Sequence, residues 1–188
     1  MVNKFRYFFL IALTLFALSA ARGTTVVPPT FEELVSQAQE IFQGIVTDVR
    51  SEWAGTGAER HIVTYVTFRV EDRLKGDVGP TYSIRLLGGT VNGQTMVVTD
   101  TPKFEVGDRD ILFVENNGSQ FVPLVGIAHG RFRVDREQTA GREVVMTNER
   151  KAVSAVSQLG RNERAATAGT PLSIDEFKGA IRTRLTNP

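Results

Sequence analysis

A mainly β, antiparallel domain is the fold class that this sequence predicts. Residues 62–70 alternate between apolar and polar side chains, which is the pattern of a half-buried strand. Turn signals follow at short intervals, and Asn116-Asn117-Gly118 is a strong hairpin signal. No helical crossover separates the predicted strands, whereas a parallel sheet requires one. The seven or eight short strands therefore favour an antiparallel sandwich or a small closed barrel.

The first 21 residues have the three parts of a cleavable secretory signal peptide. Lys4 and Arg6 precede an apolar run over residues 8–21, and small residues end it. This run of 14 residues is shorter than the roughly 20 that a membrane-spanning helix requires. We therefore predict cleavage after Ala20 or Ala21, a secreted or periplasmic location and no stable membrane insertion of the product. The alternative is an uncleaved membrane anchor.

The composition limits the classes of partner. The chain has 22 basic and 21 acidic residues, and loss of residues 1–21 removes two basic residues and no acidic one. The product is then nearly neutral and has no clustered basic excess, so we predict no binding to nucleic acid. Cysteine is absent, so packing alone must stabilise this exported domain. We expect its partner to be a protein of the envelope or the medium.

A short helix is predicted to lead into the β domain. Thr30 and Glu33 have the spacing of a capping box, in which each side chain binds the backbone amide of the other residue. Apolar residues then recur at helical spacing to about Gln39. From Ile41 the period changes to two, and Gly44 predicts a bulge or bend in the first strand.

The β domain with its leading helix is predicted to span residues 22–150. Glycine, asparagine and aspartate occur at the turns between its strands, where these residue types are favoured. The predicted strands cover residues 41–50, 62–71, 82–87, 96–98, 110–115, 121–125, 131–136 and 144–147.

Two further segments complete the predicted organisation. Residues 151–172 contain few large apolar side chains, so we predict a flexible linker. Residues 173–188 are predicted to form a C-terminal amphipathic helix that begins with a capping box of Ser173 and Glu176. Its apolar stripe either packs back onto the domain or is presented to a partner.

No catalytic, metal-binding or cofactor-binding group is predicted. The only histidines are His61, which opens a predicted strand after a loop, and His129, which lies in a predicted turn, whereas a zinc site needs three or four ligands. The Gly-x-Ser-x-Gly motif of a hydrolase nucleophile does not occur, and Ser119 follows Gly118 in a predicted hairpin tip. Asp108 is placed where a turn favours aspartate. An unrecognised hydrolase stays an open alternative.

Arg131, Arg133 and Arg136 form the one basic cluster of the sequence, and Arg131 and Arg133 share a strand face. A solvated outer face is one interpretation, and contact with an anionic ligand or an acidic partner is the other. The predicted partner surface comprises Arg131, Arg133, Ile174, Phe177 and Ile181.

Several short structural motifs occur in an order that is similar to that of a known family. They are Gly44-Ile45-Val46, Phe68-Arg69-Val70, Leu74-Lys75-Gly76, Phe104-Glu105-Val106-Gly107 and Ile111-Leu112-Phe113. This order over residues 31–134 resembles the tissue inhibitor of metalloproteinases and netrin-type modules, and also small exported bacterial proteins of unknown role. The resemblance implies an OB-like closed barrel. The inhibitors act through an N-terminal cysteine, so none of their functional residues can be assigned to this cysteine-free chain.

The sequence thus predicts an exported, non-enzymatic binding module that is protease-inhibitor-like or protease-associated. A structural or assembly protein of the envelope, docking through its C-terminal helix, is the alternative.

Overall fold

The computed structural model describes residues 27–137 and 141–187, so the predicted signal peptide lies outside the described residues. The described chain is mainly β and its sheet is antiparallel, as predicted. Its strands are β1 Glu40–Ala54, β2 His61–Lys75, β3 Thr81–Leu87, β4 Gly89–Val91, β5 Gln94–Met96, β6 Arg109–Val114, β7 Arg131–Arg136 and β8 Glu143–Thr147. Its α-helices are α1 Phe31–Gln37, α2 Glu163–Ala166 and α3 Ile174–Thr186.

Six strands form one sheet in the order β3-β2-β1-β6-β7-β8, and β4 and β5 form a separate hairpin. The longest strands are β1 and β2, with 15 residues each. Register shifts after Ile41, Gln43 and Val46 interrupt their ladder, which bends the two strands. One shift lies at Gly44, where the sequence predicts a bulge. A Cβ atom there would come within 2.9 Å of the Arg69 carbonyl oxygen.

The predicted closed barrel is not found in the described part of the chain, because no ladder joins edge strand β3 to edge strand β8. A strand is predicted over residues 121–125, but this segment is irregular and contributes one isolated bridge, between Val114 and Leu124. Pro123 contributes to this irregularity because its nitrogen carries no hydrogen for a ladder.

The outer edge of β3 is covered by the loop after β6. The side-chain amide of Asn117 accepts a hydrogen bond from the Arg85 N–H at 3.1 Å and donates one to the Ser83 carbonyl at 2.8 Å. Farther along the strand, the Leu87 N–H donates to the Phe121 carbonyl at 2.7 Å. Backbone groups of β3 are therefore paired without a neighbouring strand.

Apolar side chains form two cores, one on each face of the sheet. In β6, Ile111 and Phe113 belong to one core, and Leu112 and Val114 belong to the other. The first core lies between the sheet and the helices and includes Phe31, Leu34, Ile41, Phe113, Phe132 and Phe177. The second core lies within the bend of β1, β2 and β3 and includes Phe42, Val46, Val66, Phe68, Ile84, Leu86 and Leu124.

Both predicted capping boxes are confirmed, at Thr30–Glu33 for α1 and at Ser173–Glu176 for α3. The stripe of α3 packs back onto the sheet, and its Phe177 ring lies 4.8 Å from the Phe132 ring, centroid to centroid. None of the helices in the described ranges is long and apolar enough to span a membrane.

The segment 151–172, for which the sequence predicts a flexible linker, packs against the domain. Val153, Leu159 and Ala166 are buried in the first core. The Val153 N–H donates to the Val145 carbonyl at 2.9 Å, and the Val145 N–H donates to the Leu172 carbonyl at 3.0 Å, so the segment covers the outer edge of β8. Small side chains such as alanine fill narrow spaces, so a low content of large apolar residues does not prevent burial.

Candidate functional site

The predicted partner surface lies inside the protein. On α3, Ile174, Phe177 and Ile181 are buried in the first core. The Arg131 side chain is also inaccessible to solvent, and that of Arg133 is 12% exposed. These five residues therefore form no outer surface, and the prediction for them is corrected. Side chains that pack in a core and side chains that contact a partner show the same helical or strand periodicity. The periodicity alone therefore does not distinguish the two.

Arg131 binds two aspartates in the interior. Its Nε and Nη2 atoms donate to the two carboxylate oxygens of Asp110 at 3.1 and 3.0 Å. Nη2 also donates to Asp108 at 2.7 Å, and Arg133 Nη2 donates to the other oxygen of Asp108 at 2.7 Å. A bidentate arginine–carboxylate pair of this kind fixes both side chains.

The two aspartates respond differently to this environment. Burial would raise the pKa of Asp108, but the Glu105 amide and the guanidinium groups of Arg131 and Arg133 lower it below its usual value. Burial raises the pKa of Asp110, and the Arg131 guanidinium opposes that change. The geometry gives this cluster an architectural role, because every one of these charges is paired.

The same cluster holds the segment 103–108 in place. Arg131 Nη1 donates to the Lys103 carbonyl at 2.6 Å, and its guanidinium carbon lies 3.9 Å from the centre of the Phe104 ring. The Glu105 N–H donates to the Asp108 carboxylate at 3.0 Å. Residues 103–105 of this segment form one wall of the larger of two described clefts, so the buried charges position that wall.

The cleft has a volume of about 490 Å³ and is open to solvent along one side. It lies between the inner face of β1, β2 and β3 and the β4–β5 hairpin with the loop that follows. A second described cavity, beside His129 and Pro29, is smaller at about 180 Å³. Pockets of 300–1,000 Å³ are the usual size for ligand sites, so the larger cleft is the stronger candidate.

The floor of the cleft is apolar and continues the second core. Val66 and Leu86 line it from the sheet, and Phe104 lines it from the opposite wall. Met96 and Val98 add apolar surface from the hairpin side. An apolar group bound here would extend the existing core.

Hydroxyl groups at the glycine-rich end of the cleft are bonded within the protein. Thr64 Oγ1 donates to the Gly88 carbonyl at 2.6 Å, so the Ser51 hydroxyl donates to Thr64 Oγ1 at 2.8 Å. Thr90 and Thr95 pair across the hairpin at 3.0 Å. These four hydroxyls thus shape the cleft and require no polar ligand.

Replacing Gly89 by alanine should disrupt this end of the cleft. Gly89 has φ +138°, and a Cβ atom there would lie 2.3 Å from Thr64 Oγ1 and 2.5 Å from Ser51 Oγ. We expect Gly89→Ala to lower the free energy of unfolding by about 1–3 kcal/mol, measured by urea denaturation. Gly93→Ala is the matched control, because Gly93 also has a positive φ, +79°, but nothing within 4 Å of the added atom. Equal losses for both variants would contradict the predicted clash.

Two exposed apolar side chains line the cleft, and a third directly follows a lining residue. Val49 and Val97 line it and are 37% and 83% exposed, and Val106, which directly follows the lining residue Glu105, is 67% exposed. Large exposed apolar groups that cluster at one place mark interaction sites.

The remaining candidates from the sequence are not brought together. His61 Nδ1 lies 2.8 Å from the Glu59 carbonyl and its Nε2 lies 3.3 Å from Arg85, whereas His129 borders the smaller cavity. Ser119 donates to the Asn116 carbonyl in its loop. Within residues 27–137 and 141–187, no group of three histidine, cysteine, aspartate or glutamate side chains could hold a metal ion.

Sequence reasoning missed the cleft, although local signals for its hairpin were present. Asn92-Gly93 has the composition of a tight turn, and the turn joins β4 to β5. The contact of this hairpin with β1 and β2 joins residues that are far apart in the sequence, so local periodicity does not predict it. Comparisons of the chain with protein-family models, curated proteins and solved structures find no match.

Proposed function

We propose that this chain is an exported, non-enzymatic binding module that holds an apolar segment of a partner polypeptide in the cleft. The observation that carries the proposal is an apolar cleft whose rim valines, Val49 and Val97, are exposed. Burying apolar surface stabilises a complex by roughly 25 cal/mol per Å² before the cost of association is subtracted.

A polypeptide fits these features better than a small ligand does. A small molecule enclosed in the cleft would leave Val97 and Val106 exposed, because both side chains are mostly accessible to solvent. A longer segment can bury the floor and the rim together. Protein interfaces are built in this way, with an apolar centre and a surrounding rim.

Side-chain contacts, rather than strand addition, would provide the binding energy. Strand addition requires a free sheet edge. Asn117 and Phe121 occupy the outer edge of β3, and residues 151–153 with Leu172 occupy that of β8. The proposal therefore places the partner across the cleft and not along the sheet.

A protease is one class of partner for this module. If the module inhibits a protease, a segment of the protease binds in the cleft. The alternative, envelope assembly through α3, is less favoured because Phe177 and Ile181 are already buried. Docking through their stripe would require α3 to leave the first core.

The rim provides the test of this proposal. The mature chain is used to select binders from a displayed random-peptide library and is assayed against a panel of extracellular proteases. We expect Val49→Ser with Val97→Ser to weaken binding of the selected peptides about tenfold, because apolar contact area is lost. Val27→Ser with Phe121→Ser is the matched control, since these exposed side chains do not line the cleft. Equal weakening by both pairs, or no selected peptide at all, would reject the cleft as the binding site.

A further inference from the structure

The apolar floor of the cleft is shielded from solvent in this structure. Val66 lines the floor and is fully buried, and Leu86, which also lines it, is only 3% exposed. The exposed side chains of the cleft, Val49 and Val97, lie at its rim. A partner segment that contacts the floor therefore needs one side of the cleft to move first.

The side formed by Lys103 and Phe104 is fixed. The Lys103 carbonyl accepts a hydrogen bond from Arg131 at 2.6 Å, and the Phe104 ring lies against the same guanidinium. The ring also packs edge-on against Phe68, with 5.7 Å between the ring centroids. Pro102, directly before this wall, is buried. The chain is thus held firmly from Pro102 onward.

The opposite side, residues 89–101, is held only weakly. It comprises β4, β5 and the turn that follows them, and none of its residues is buried. Its hydrogen bonds with described residues all lie within the segment: the β4–β5 ladder, the Thr90–Thr95 pair and the bond from the Thr101 N–H to the Val98 carbonyl. Segments with few buried contacts and few bonds to their surroundings open at a low free energy. This side can therefore move while the sheet stays folded.

Both ends of this weakly held segment are sharply defined. Before it, the Gly88 N–H donates to the Ile62 carbonyl at 2.8 Å, and the Gly88 carbonyl accepts a hydrogen bond from the Thr64 hydroxyl at 2.6 Å. Gly89 follows with φ +138°, a conformation that glycine can leave easily because it has no Cβ atom. Asp100, near the other end, also has a positive φ, +62°. A hinge needs only a few such terminal residues that change their dihedral angles.

From this contrast we infer that residues 89–101 form a lid, which swings away from the sheet on hinges at its two ends, admits the partner segment and closes on it. The inference rests on the proposed function, because the lid provides the access to the floor that binding of a partner requires. The hairpin moves as a unit, since its ladder does not involve the six-stranded sheet. Met96 and Val98, which line the cleft from this side, contact the bound segment when the lid closes.

Thiol labelling measures the opening of the lid without any ligand, because the chain has no cysteine of its own. Val66→Cys places a thiol on the floor. Val46→Cys is the matched probe, since Val46 is buried in the same core but does not line the cleft. We expect N-ethylmaleimide to modify Val66→Cys at least about tenfold faster than Val46→Cys. Urea well below the unfolding midpoint should raise the rate for Val46→Cys but not that for Val66→Cys, because opening of the lid exposes little surface.

Variants in the hairpin assign this access to the lid. Gly89→Ala strains the closed lid, in which its Cβ atom would lie 2.3 Å from Thr64 Oγ1, so the labelling rate of Val66→Cys should rise about tenfold. Gly93→Ala adds the same atom at the hairpin tip, where it has nothing within 4 Å. This control should change the labelling rate less than about twofold, because the open and closed forms of the lid are affected equally.

A general loss of stability gives a different pattern. Ile181 is fully buried in the first core, on the opposite face of the sheet from the cleft. Ile181→Val should raise the labelling rate of Val46→Cys about threefold or more, because global unfolding becomes easier, and leave that of Val66→Cys unchanged. Equal urea dependence of the two probes, or no response of Val66→Cys to Gly89→Ala, would overturn the lid.

Peptide binding separates the lid from the proposed function. The peptides selected from the displayed library, at about ten times their Kd, should slow the labelling of Val66→Cys about tenfold. If the lid opens as expected but no selected peptide slows the labelling, the lid stands and the cleft floor is not the binding site. If selected peptides bind and the rim variants weaken them, but Val66→Cys is labelled no faster than Val46→Cys, the lid is overturned and the proposed function stands.

Discussion

Phe177→Ala should lower the free energy of unfolding by about 3–5 kcal/mol, which is a large part of the stability of a domain without disulfides. The Phe177 ring is fully buried, and its centroid lies 4.8, 5.9 and 6.4 Å from those of Phe132, Phe31 and Phe113. Removing it leaves a cavity between α3, α1 and the sheet. Urea denaturation of the protein, followed by circular dichroism, measures the loss.

Phe121→Ala is the matched control for this variant, because it deletes the same side chain at a position that is 69% exposed. We expect a change below about 0.5 kcal/mol at this site. A similarly small change for Phe177→Ala would show that α3 contributes little to the core. That result would restore the alternative in which α3 docks on a partner.

Arg131→Leu should be about as destabilising, at roughly 3–5 kcal/mol, because it leaves the buried Asp110 carboxylate without its counter-charge. Asp110 loses both hydrogen bonds from the guanidinium, and Asp108 loses one. The wall at Lys103 and Phe104 also loses its anchor. Thermal denaturation at neutral pH measures the effect.

Two further variants identify the origin of that loss. Arg133→Leu removes one hydrogen bond to Asp108 from a side chain that is 12% exposed, so its cost should be clearly smaller. Adding Asp110→Leu to Arg131→Leu should recover part of the stability, since the unpaired buried charge is then removed. If the double variant is less stable than Arg131→Leu, the cost comes from packing and not from the unpaired charge.

Local sequence signals predicted the parts of this fold whose interactions are local. The capping boxes at Thr30 and Ser173 need only residues three positions apart, and both helices begin where predicted. The bend at Gly44 likewise follows from a residue type that tolerates close backbone approach.

Features that depend on distant contacts could not be predicted in this way. The polar pattern around Arg131 and Arg133 has the period of a solvated face, but Asp108 and Asp110 pair with these side chains in the interior. The small residues of 151–172 have the composition of a linker, yet Ala166 is fully buried. The cleft depends on the position of the β4–β5 hairpin over β1 and β2, which no local period encodes.

The contact between α1 and α3 also determines the order in which this chain can fold. Phe31 and Phe177 are separated by most of the described sequence, yet their rings pack 5.9 Å apart, and Leu172 pairs with the outer edge of β8. The first core and that edge are therefore incomplete until α3 has been synthesised. Contacts between residues far apart in sequence form slowly, because a large loop must close first. Docking of α3 onto the sheet is therefore expected to be a late step in the folding of this domain.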